Sequence, residues 1–410
     1  MFKFDGLSRL RELVPENQRV LVRADLDCPM TSDGRISDPT KLQAALPTLR
    51  FLLDAKARVV VAAHQSALGT DGVAVSLEAC GVFLAENLGC EVFLPDDHDG
   101  PMARKLILEQ REGTLVLLEN LARDPRELNG DDGLAHALSK GVDLYVGDCL
   151  DASTTATSVT SLPRLCRDRT VGLGVERELT VVQELLNFAP ADLLVVLGGD
   201  FASQTPLRRW ALRRGAKVVV AGPLGATVAA GKGVNLGRTT VDGSQFAEVR
   251  TWLEHAQRQG TTIVLPKDVF VTGEHVSDKP MLRPLGQVGK GERLLDLGPE
   301  SIEQVGELAR QAKAVLLVGN LGFSPHSNQA TTDILRLIAA TDTLSVAVHG
   351  ALDTRLLRAA LPHEATPTHG GAANESIVRG LSFVSTAGNT LQDLLSGRRL
   401  AIVENLRASE

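Results

Sequence analysis

The sequence predicts an α/β fold with two doubly wound, Rossmann-like parallel-sheet lobes that are joined by a helix. Three observations support this prediction. Short apolar strands alternate with helical patterns through the first half, a single amphipathic helix follows at residues 175–188, and the alternation then begins again. Strands that alternate with helices are typical of a parallel sheet covered by helices on both faces.

The first strand–helix–strand unit carries polar residues at the ends of both strands. Residues 20–22 are apolar and lead into residues 23–29 (Arg-Ala-Asp-Leu-Asp-Cys-Pro), in which the proline ends the strand. A helical pattern covers residues 42–53, and a second strand at 58–63 ends at His64. Ligands of open α/β sheets bind at the carboxyl ends of the strands. The polar residues at these two ends are therefore candidates for a binding site.

The rest of the first half repeats this alternation. Strands are predicted at residues 91–94, 115–118 and 142–146, and helices at residues 75–88, 101–110 and 134–139. The helix at 175–188 has apolar residues spaced at a period of 3.6 and ends before Pro190. We expect this helix to join the two halves.

The second half contains six further predicted strands, at residues 193–197, 218–220, 262–265, 314–318, 344–348 and 383–384. Several of them end at glycine, including Gly198, Gly199, Gly222 and Gly319. Glycine allows tight turns and lets a ligand approach the backbone closely. The residues alone leave two interpretations open, a ligand site or the turns that any doubly wound domain requires.

Composition narrows the class of protein. Hydrophobic residues make up 43% of the 410 residues but aromatic residues only 3%, so the cores are expected to be aliphatic. A net charge of −7 argues against nucleic acid as a general partner. No apolar run has the length that a membrane span needs, and five unpaired cysteines with no apolar leader at the start predict a cytoplasmic protein with reduced thiols.

Four parts of the sequence resemble signature blocks of the phosphoglycerate kinase family. These are residues 23–29 with the Leu-Pro-Thr of 46–48, residues 222–237, residues 295–302 and residues 351–354. The resemblance extends over nearly the whole chain and implies the phosphoglycerate kinase fold.

The resemblance also implies a domain organisation. Residues 1–174 would form the acceptor lobe, 175–188 the interdomain helix and 189–400 the nucleotide lobe, and residues 401–410 would return to the first lobe. Residues 363–375 look like an insertion relative to the family and are predicted to be a loop. Its two histidines leave a metal site there as a minor alternative.

The family reaction is phosphoryl transfer between ATP and 3-phosphoglycerate in glycolysis. The resemblance implies Mg-ATP or Mg-ADP as the nucleotide, no tightly bound cofactor, a small anionic ligand and a monomer. On the acceptor side it implies Arg23, Asp25, Asp27 and His64, with Lys41 at the position of the catalytic arginine. On the nucleotide side it implies Gly198, Gly199, Gly222, Gly319, Gly322, Asp353 and Thr354, with Asp353 holding magnesium.

Several acceptor-side positions depart from the family pattern. Asp27 replaces an asparagine and adds negative charge where an anion is expected. Lys41 keeps a positive charge but lacks the planar fork of arginine. The other basic positions of the family hold uncharged residues, which are Ala67, Ala122, Thr154 and Thr155.

The nucleotide side departs as well. Residues 200–205 (Asp-Phe-Ala-Ser-Gln-Thr) lack both family lysines. Residues 318–325 lack the family asparagine and glutamate, although Gly319 and Gly322 remain.

These departures lead to three hypotheses. The first is a diverged, non-catalytic or strongly impaired family member that binds a small anion, a nucleotide or a protein partner. The second is an active phosphotransferase with a different carboxylic acid as acceptor. The third is a phosphoglycerate kinase of low turnover. Phosphoryl transfer between two anions depends on positioning and positive charge, so we expect the first.

Overall fold

A computed structural model of the 410-residue chain describes residues 6–70, 72–152, 155–273, 275, 279–323, 327–348, 350, 352, 354–360 and 381–407. The described residues divide into two units. The first runs to Val181 and includes the residues from Gly397 onward, and the second begins at Val182 and ends at Ser396.

The first unit is built on a six-stranded sheet in the order β3-β4-β2-β1-β5-β6, and every strand pair in it is parallel. Its strands are β1 (Arg19–Ala24), β2 (Arg58–Ala62), β3 (Val92–Phe93), β4 (Leu115–Leu117), β5 (Leu144–Asp148) and β6 (Asp168–Val171). Its helices are α1 (Thr40–Asp54), α2 (Glu78–Leu88), α3 (Pro101–Glu109), α4 (Pro125–Leu128), α5 (Asp132–Ser139) and α6 (Leu162–Leu165).

Strand β1 is a central strand of this sheet because it has a paired strand on each side. It pairs with β2 on one side and with β5 on the other, with Arg23 opposite Ala62 and Ala24 opposite Asp148. Its aliphatic residues Val20 and Val22 are fully buried. Such strands are near-continuous aliphatic runs because helices cover a parallel sheet. The carboxyl ends of β1, β2 and β5 consequently meet at one edge.

Helix α7 (Leu173–Asn187) follows β6 and continues from the first unit into the second. Its first turn is held by the carboxylate of Asp148, whose Oδ1 accepts a hydrogen bond of 3.0 Å from the backbone N–H of Val175. A carboxylate that accepts from free N–H groups satisfies donors that a helix start leaves without partners.

The second unit has two sheets. Its strands are β7 (Leu193–Leu197), β8 (Lys217–Val220), β9 (Ile263–Val264), β10 (Asp268–Thr272), β11 (Met281–Pro284), β12 (Arg293–Leu297), β13 (Ala314–Val318), β14 (Leu344–Val348) and β15 (Phe383–Ser385). The parallel sheet has the order β15-β14-β13-β7-β8-β9, and a smaller antiparallel sheet has the order β11-β10-β12. The two parallel-sheet α/β lobes predicted from the sequence are confirmed, whereas the antiparallel sheet was not predicted.

The helices of the second unit are α8 (Thr205–Arg214), α9 (Gly222–Gly231), α10 (Phe246–Gln259), α11 (Pro299–Gln311), α12 (Gln329–Ala339), α13 (Thr354–Ala360) and α14 (Asn389–Leu395). Aliphatic residues of α11, α12 and the strands form its main core, among them Val196, Val305, Val315 and Ile334.

The last described residues belong to the first unit. After helix α15 (Ala401–Glu404), the Asn405 side chain donates to the carbonyl of Val159 at 3.0 Å and accepts from Arg164 at 2.8 Å. The carbonyl of Arg407 accepts from Arg169 at 2.8 Å. The predicted insertion at 363–375 lies outside the described residues. Within the described chain, no helix has both the length and the apolar character required to cross a bilayer.

Candidate functional site

The predicted acceptor-side residues of the first unit lie at the edge where β1, β2 and β5 end. Arg23 belongs to β1, Asp25 and Asp27 follow it, and His64 follows β2. Lys41 is in the first turn of α1, the helix that follows β1. The structure thus brings all five predicted residues to one unit, and the partners of each are described below.

The ammonium group of Lys41 lies between two carboxylates. Its Nζ is 2.9 Å from Oδ2 of Asp25 and 3.1 Å from Oδ2 of Asp151. The side chains of Lys41 and Asp25 are 9% and 13% exposed, and that of Asp151 is 42% exposed. Burial alone would lower the pKa of Lys41, but the two carboxylates outweigh burial and raise this pKa above its ordinary value. Burial raises the pKa of Asp25, and Lys41 offsets only part of that rise.

Arg23 is a buried residue, and two of its three side-chain nitrogens donate hydrogen bonds within the protein. Its Nε donates to Oγ of Ser158 at 2.9 Å, and Nη1 donates to the carbonyl of Ala24 at 2.5 Å. Its side chain is 1% exposed, so burial of the guanidinium depends on these acceptors. Asp25 forms its ion pair with Lys41 rather than with Arg23.

His64 contacts a carboxylate that the sequence analysis did not identify. Its Nε2 lies 2.8 Å from Oε1 of Glu127, and the Glu127 side chain is fully buried. Burial and the nearby charge of Arg23 lower the pKa of His64, so the ring is neutral at pH 7. A neutral ring can donate to Glu127 only when Nε2 carries the proton. Glu127 also accepts from the backbone N–H and the hydroxyl of Ser158, at 3.0 and 2.5 Å.

The carboxylate of Asp27 accepts hydrogen bonds from Ser66, the residue that follows Gln65. Its Oδ1 accepts from the backbone N–H of Ser66 at 2.8 Å and from the Ser66 hydroxyl at 2.9 Å. The amide of Gln65 donates to the carbonyl of Cys28 at 2.9 Å, which ties the loop after β2 to the loop after β1.

Arg123, the arginine next to Ala122, bonds locally. Its Nε donates to the carbonyl of Ala74 at 2.8 Å, and Nη1 lies 3.2 Å from Oε2 of Glu119. Thr154, for which the resemblance implies a basic residue, lies outside the described residues.

The charge at this edge is negative overall. The carboxylates of Asp25, Asp27, Glu127 and Asp151 face the cations Arg23 and Lys41, while His64 is neutral.

Sequence reasoning missed Asp151 and Glu127. The signal for Asp151 was present, because it closely follows the carboxyl end of a predicted strand, as Asp25 does. Glu127 lies between two predicted strands and carried no such signal.

The predicted glycines of the second unit meet at the carboxyl ends of β7, β8 and β13. The N–H of Gly199 donates to the carbonyl of Asn320 at 3.0 Å. A Cβ on Gly198 would lie 2.2 Å from that oxygen, and a Cβ on Gly222 would lie 2.9 Å from it. Gly319 has φ +82°, a conformation that side chains other than glycine's rarely adopt. These positions require glycine because backbones pack directly against one another.

A narrow pocket of about 10 Å³, the room of a single water molecule, lies beside these glycines. Its lining is mostly apolar and includes Gly222, Leu321 and Phe323, with Asp296 as its one ionisable residue. Burial raises the pKa of Asp296, and hydrogen bonds from Ser327 and backbone N–H groups offset part of that rise.

The loop after β7, at residues 200–203, is closed by hydrogen bonds within it. Oδ1 of Asp200 accepts from the N–H groups of Ala202 and Ser203, at 3.0 and 2.9 Å. Phe201 is 1% exposed, and the guanidinium carbon of Arg208 lies 3.4 Å from the centre of its ring.

Asp353, the predicted magnesium ligand, lies outside the described residues, and Thr354 is the first residue of α13. Across the described ranges, no group of three or more His, Cys, Asp and Glu side chains is placed to hold a metal ion.

The two parallel-sheet units define the chain as a two-domain α/β protein with candidate ligand groups at the carboxyl ends of its strands. The family model described as "Phosphoglycerate kinase" matches residues 10–398. This chain therefore belongs to the phosphoglycerate kinase family.

Its similarity to individual relatives is low in identity but extends over the full length. The phosphoglycerate kinase of Aquifex aeolicus (strain VF5) is 27% identical over 407 residues, covering 98% of each chain. That of Desulfosudis oleivorans is 27% identical over 408 residues, covering 98% of this chain and 100% of the relative. The solved phosphoglycerate kinase structures from Coxiella burnetii and Pyrococcus horikoshii OT3 both have a TM-score of 0.76, at 20% and 22% identity. They cover 98% and 97% of this chain and 99% and 98% of their own, which supports the same fold.

Proposed function

We propose that this chain is a phosphoglycerate kinase-like protein whose transfer of a phosphoryl group between ATP and 3-phosphoglycerate is absent or strongly impaired. In this proposal the first unit is the acceptor lobe, the second unit is the nucleotide lobe, and the protein binds a small anion, a nucleotide or a protein partner. The relatives named above are phosphoglycerate kinases. Their reaction is the one that we propose is absent or strongly impaired in this chain.

The observation that supports the proposal most directly is the pairing of Lys41 with two carboxylates. It stands where the family has its catalytic arginine, and its ammonium already holds Asp25 and Asp151 at ion-pair distance. An incoming anion would meet a group that two carboxylates have neutralised. Positive charge is the main resource of an enzyme that joins two anions, so this arrangement opposes the family reaction.

The missing arginines also lower the expected affinity for a phosphorylated acceptor. A hydrogen bond to a charged group is worth about 1.5–3 kcal/mol. Loss of three arginines, at Ala67, Ala122 and Thr155, would cost roughly 4.5–9 kcal/mol if the contributions were additive. Half of that sum is still about fortyfold or more in affinity.

The nucleotide side offers little charge for phosphates. Phe201 is buried where the family has a lysine, and the carboxylate of Asp200 is near the start of the same loop. The described residues therefore do not fit Mg-ATP in the family manner, and we assign no step to it.

A second candidate function is favoured by one feature of the acceptor side. The chain keeps a buried ammonium at Lys41 and the carboxylate of Asp25 beside it. Such a pair suits an active phosphotransferase whose carboxylic acid acceptor carries no phosphate, because the missing arginines serve a phosphate.

The test is a coupled assay of the full chain with Mg-ATP and 3-phosphoglycerate, with calorimetry of Mg-ATP alone beside it. We expect no turnover above that of a heat-inactivated sample and no heat of binding at micromolar nucleotide. Turnover of 3-phosphoglycerate at an ordinary enzyme rate would refute the proposal. Micromolar binding of Mg-ATP together with phosphorylation of a carboxylic acid that carries no phosphate would favour the second candidate.

A further inference from the structure

The carboxylate of Asp151 holds the ammonium that an acidic acceptor would need. We propose that Asp151 is a specificity-determining residue that competes with anionic acceptors for Lys41. The inference rests on the proposed function in one respect, which is the assignment of this edge of the first unit as the acceptor side.

The contact geometry supports competition. Oδ2 of Asp151 is 3.1 Å from Nζ of Lys41, and Oδ2 of Asp25 is 2.9 Å from the same nitrogen. A lysine ammonium has three donors, so two of them are used by these carboxylates. The acidic group of a small carboxylic acid has the same oxygens and charge as Asp151. It would have to displace Asp151 or bind beside two negative charges.

Asp151 is the carboxylate of this pair that can be displaced. Its side chain is 42% exposed and, among the described residues, bonds only to Lys41. Asp25 is 13% exposed and also accepts a hydrogen bond of 3.2 Å from the N–H of Asp27. Asp25 is therefore fixed in the protein, whereas Asp151 is held by one ion pair at a partly exposed position.

Charge then sets the class of acceptor. With Asp151 in place, the group formed by Lys41, Asp25 and Asp151 has a net charge of −1, and a phosphorylated or carboxylic acid is repelled. Without the charge of Asp151 the group is neutral and Lys41 has a donor free. A small acid becomes a ligand in that state, because an ammonium in a partly buried site attracts it more strongly than in water.

The experiment is calorimetry of the full-length protein with 3-phosphoglycerate and with D-glycerate as probes. Asp151→Asn removes the charge and keeps the side-chain shape, and Asp151→Ser removes the charge with a smaller polar side chain. We expect either variant to bind both probes at least tenfold more tightly than the natural chain. D-glycerate separates the carboxylate from the phosphate, because it carries only the former.

Three controls make the result specific. Asp33→Asn removes one negative charge at an exposed ion pair with Arg35, elsewhere in the same unit, and should leave affinity unchanged. Asp151→Glu restores the charge and should bind as weakly as the natural chain. In Asp151→Asn combined with Lys41→Gln, the gain should disappear because the cation that produces it is gone.

The inference fails if Asp151→Asn binds no better than Asp33→Asn, or if its gain survives the loss of Lys41. It also fails if the natural chain binds either probe as tightly as Asp151→Asn does. These outcomes are distinct from failure of the proposed function, which is measured as turnover by the natural chain and does not depend on the ratio between variants.

Discussion

Nε2 of His64 lies 2.8 Å from Oε1 of Glu127, and Glu127 is completely buried. The same carboxylate accepts two hydrogen bonds from Ser158, whose hydroxyl in turn accepts from Arg23. Two predicted acceptor-side residues are thus connected through two residues that the sequence analysis did not identify. The connection gives His64 and Arg23 a structural role, because each satisfies a buried polar partner.

Replacement of Glu127 by alanine should destabilise the first unit strongly. The change leaves the N–H and hydroxyl of Ser158 and the ring of His64 without their acceptor, and it removes the carboxylate to which the buried Arg23 is linked through Ser158. We expect the free energy of unfolding to fall by about 3–5 kcal/mol. Urea denaturation followed by circular dichroism measures the loss.

Glu127→Gln keeps the shape and one acceptor oxygen, so its loss should be smaller, at about 1–3 kcal/mol. Glu112→Ala removes an exposed carboxylate that lies 3.8 Å from Lys56 and should change stability by less than about 0.5 kcal/mol. If Glu127→Ala costs no more than Glu112→Ala, the network does not stabilise the fold.

The glycine cluster of the second unit predicts a steric effect. A Cβ on Gly198 would lie 2.2 Å from the backbone oxygen of Asn320, and this oxygen is fixed by its hydrogen bond from Gly199. Gly198→Ala should therefore cost about 3 kcal/mol or more, because strands must move to make room. Gly291→Ala is the matched control, since nothing lies within 4 Å of its Cβ position and its φ is not positive. Equal thermal stability of the two variants would contradict this account.

The parallel sheets could be predicted because local sequence patterns mark their strands. Residues 193–197 and 314–318 are continuous aliphatic runs followed by glycine, and the structure has strands with the same bounds. In the antiparallel sheet, β10 and β12 are largely buried and contain apolar residues, whereas β11 differs. Strand β11 is largely exposed, so no apolar pattern marks it. Its existence depends on pairing with β10, which is a tertiary contact.

Only part of the candidate site could be predicted, because local sequence patterns mark the ends of strands but not contacts between distant residues. The rule that ligand groups follow strand ends led to Asp25 and His64, and resemblance to the family added Lys41. The partners that determine their chemistry are far away in sequence, since Asp151 is 110 residues from Lys41 and Glu127 is 63 residues from His64. Such pairs are created by the order of the strands in the sheet. A single sequence does not reveal them by local pattern.

Asp148 predicts a dependence of stability on pH. Burial raises its pKa from 3.8 to about 6, and hydrogen bonds from Thr48 and from the N–H groups of Val175 and Gly174 offset part of the rise. Because the pKa is higher in the folded chain, protonation favours folding. This contribution is fully present below about pH 4 and is lost as the pH rises through about 6.

Asp148→Asn should remove that dependence, because the amide oxygen can still accept from Val175 and the group no longer ionises. Relative to the natural chain, we expect the variant to gain up to about 3 kcal/mol of stability between pH 4 and pH 7. Urea unfolding at a series of pH values measures the difference. Asp54→Asn, at an exposed position, should run parallel to the natural chain. A constant difference for Asp148→Asn across this range would contradict the prediction.

Phe201 predicts the effect of introducing a lysine into the loop after β7. The resemblance to the family implies a lysine at this position, but the Phe201 ring is buried, and the guanidinium carbon of Arg208 lies 3.4 Å from the ring centre. Arg208 is itself fixed by hydrogen bonds to the carbonyl of Phe201 and to Glu248, both at 3.0 Å. A lysine introduced at 201 would exchange an aromatic contact for a second positive charge beside a buried guanidinium.

We therefore expect Phe201→Lys to lose at least about 3 kcal/mol of stability without gaining affinity for Mg-ATP. Ala202→Lys is the matched control, because its position is exposed and adjacent, and it should change stability by less than about 0.5 kcal/mol. Chemical denaturation and calorimetry with Mg-ATP measure the two effects. A Phe201→Lys protein as stable as the natural chain, with a measurable affinity for Mg-ATP, would show that the loop has kept room for the family lysine. The burial of Phe201 against Arg208 predicts the opposite, because the loop is packed around an aromatic ring.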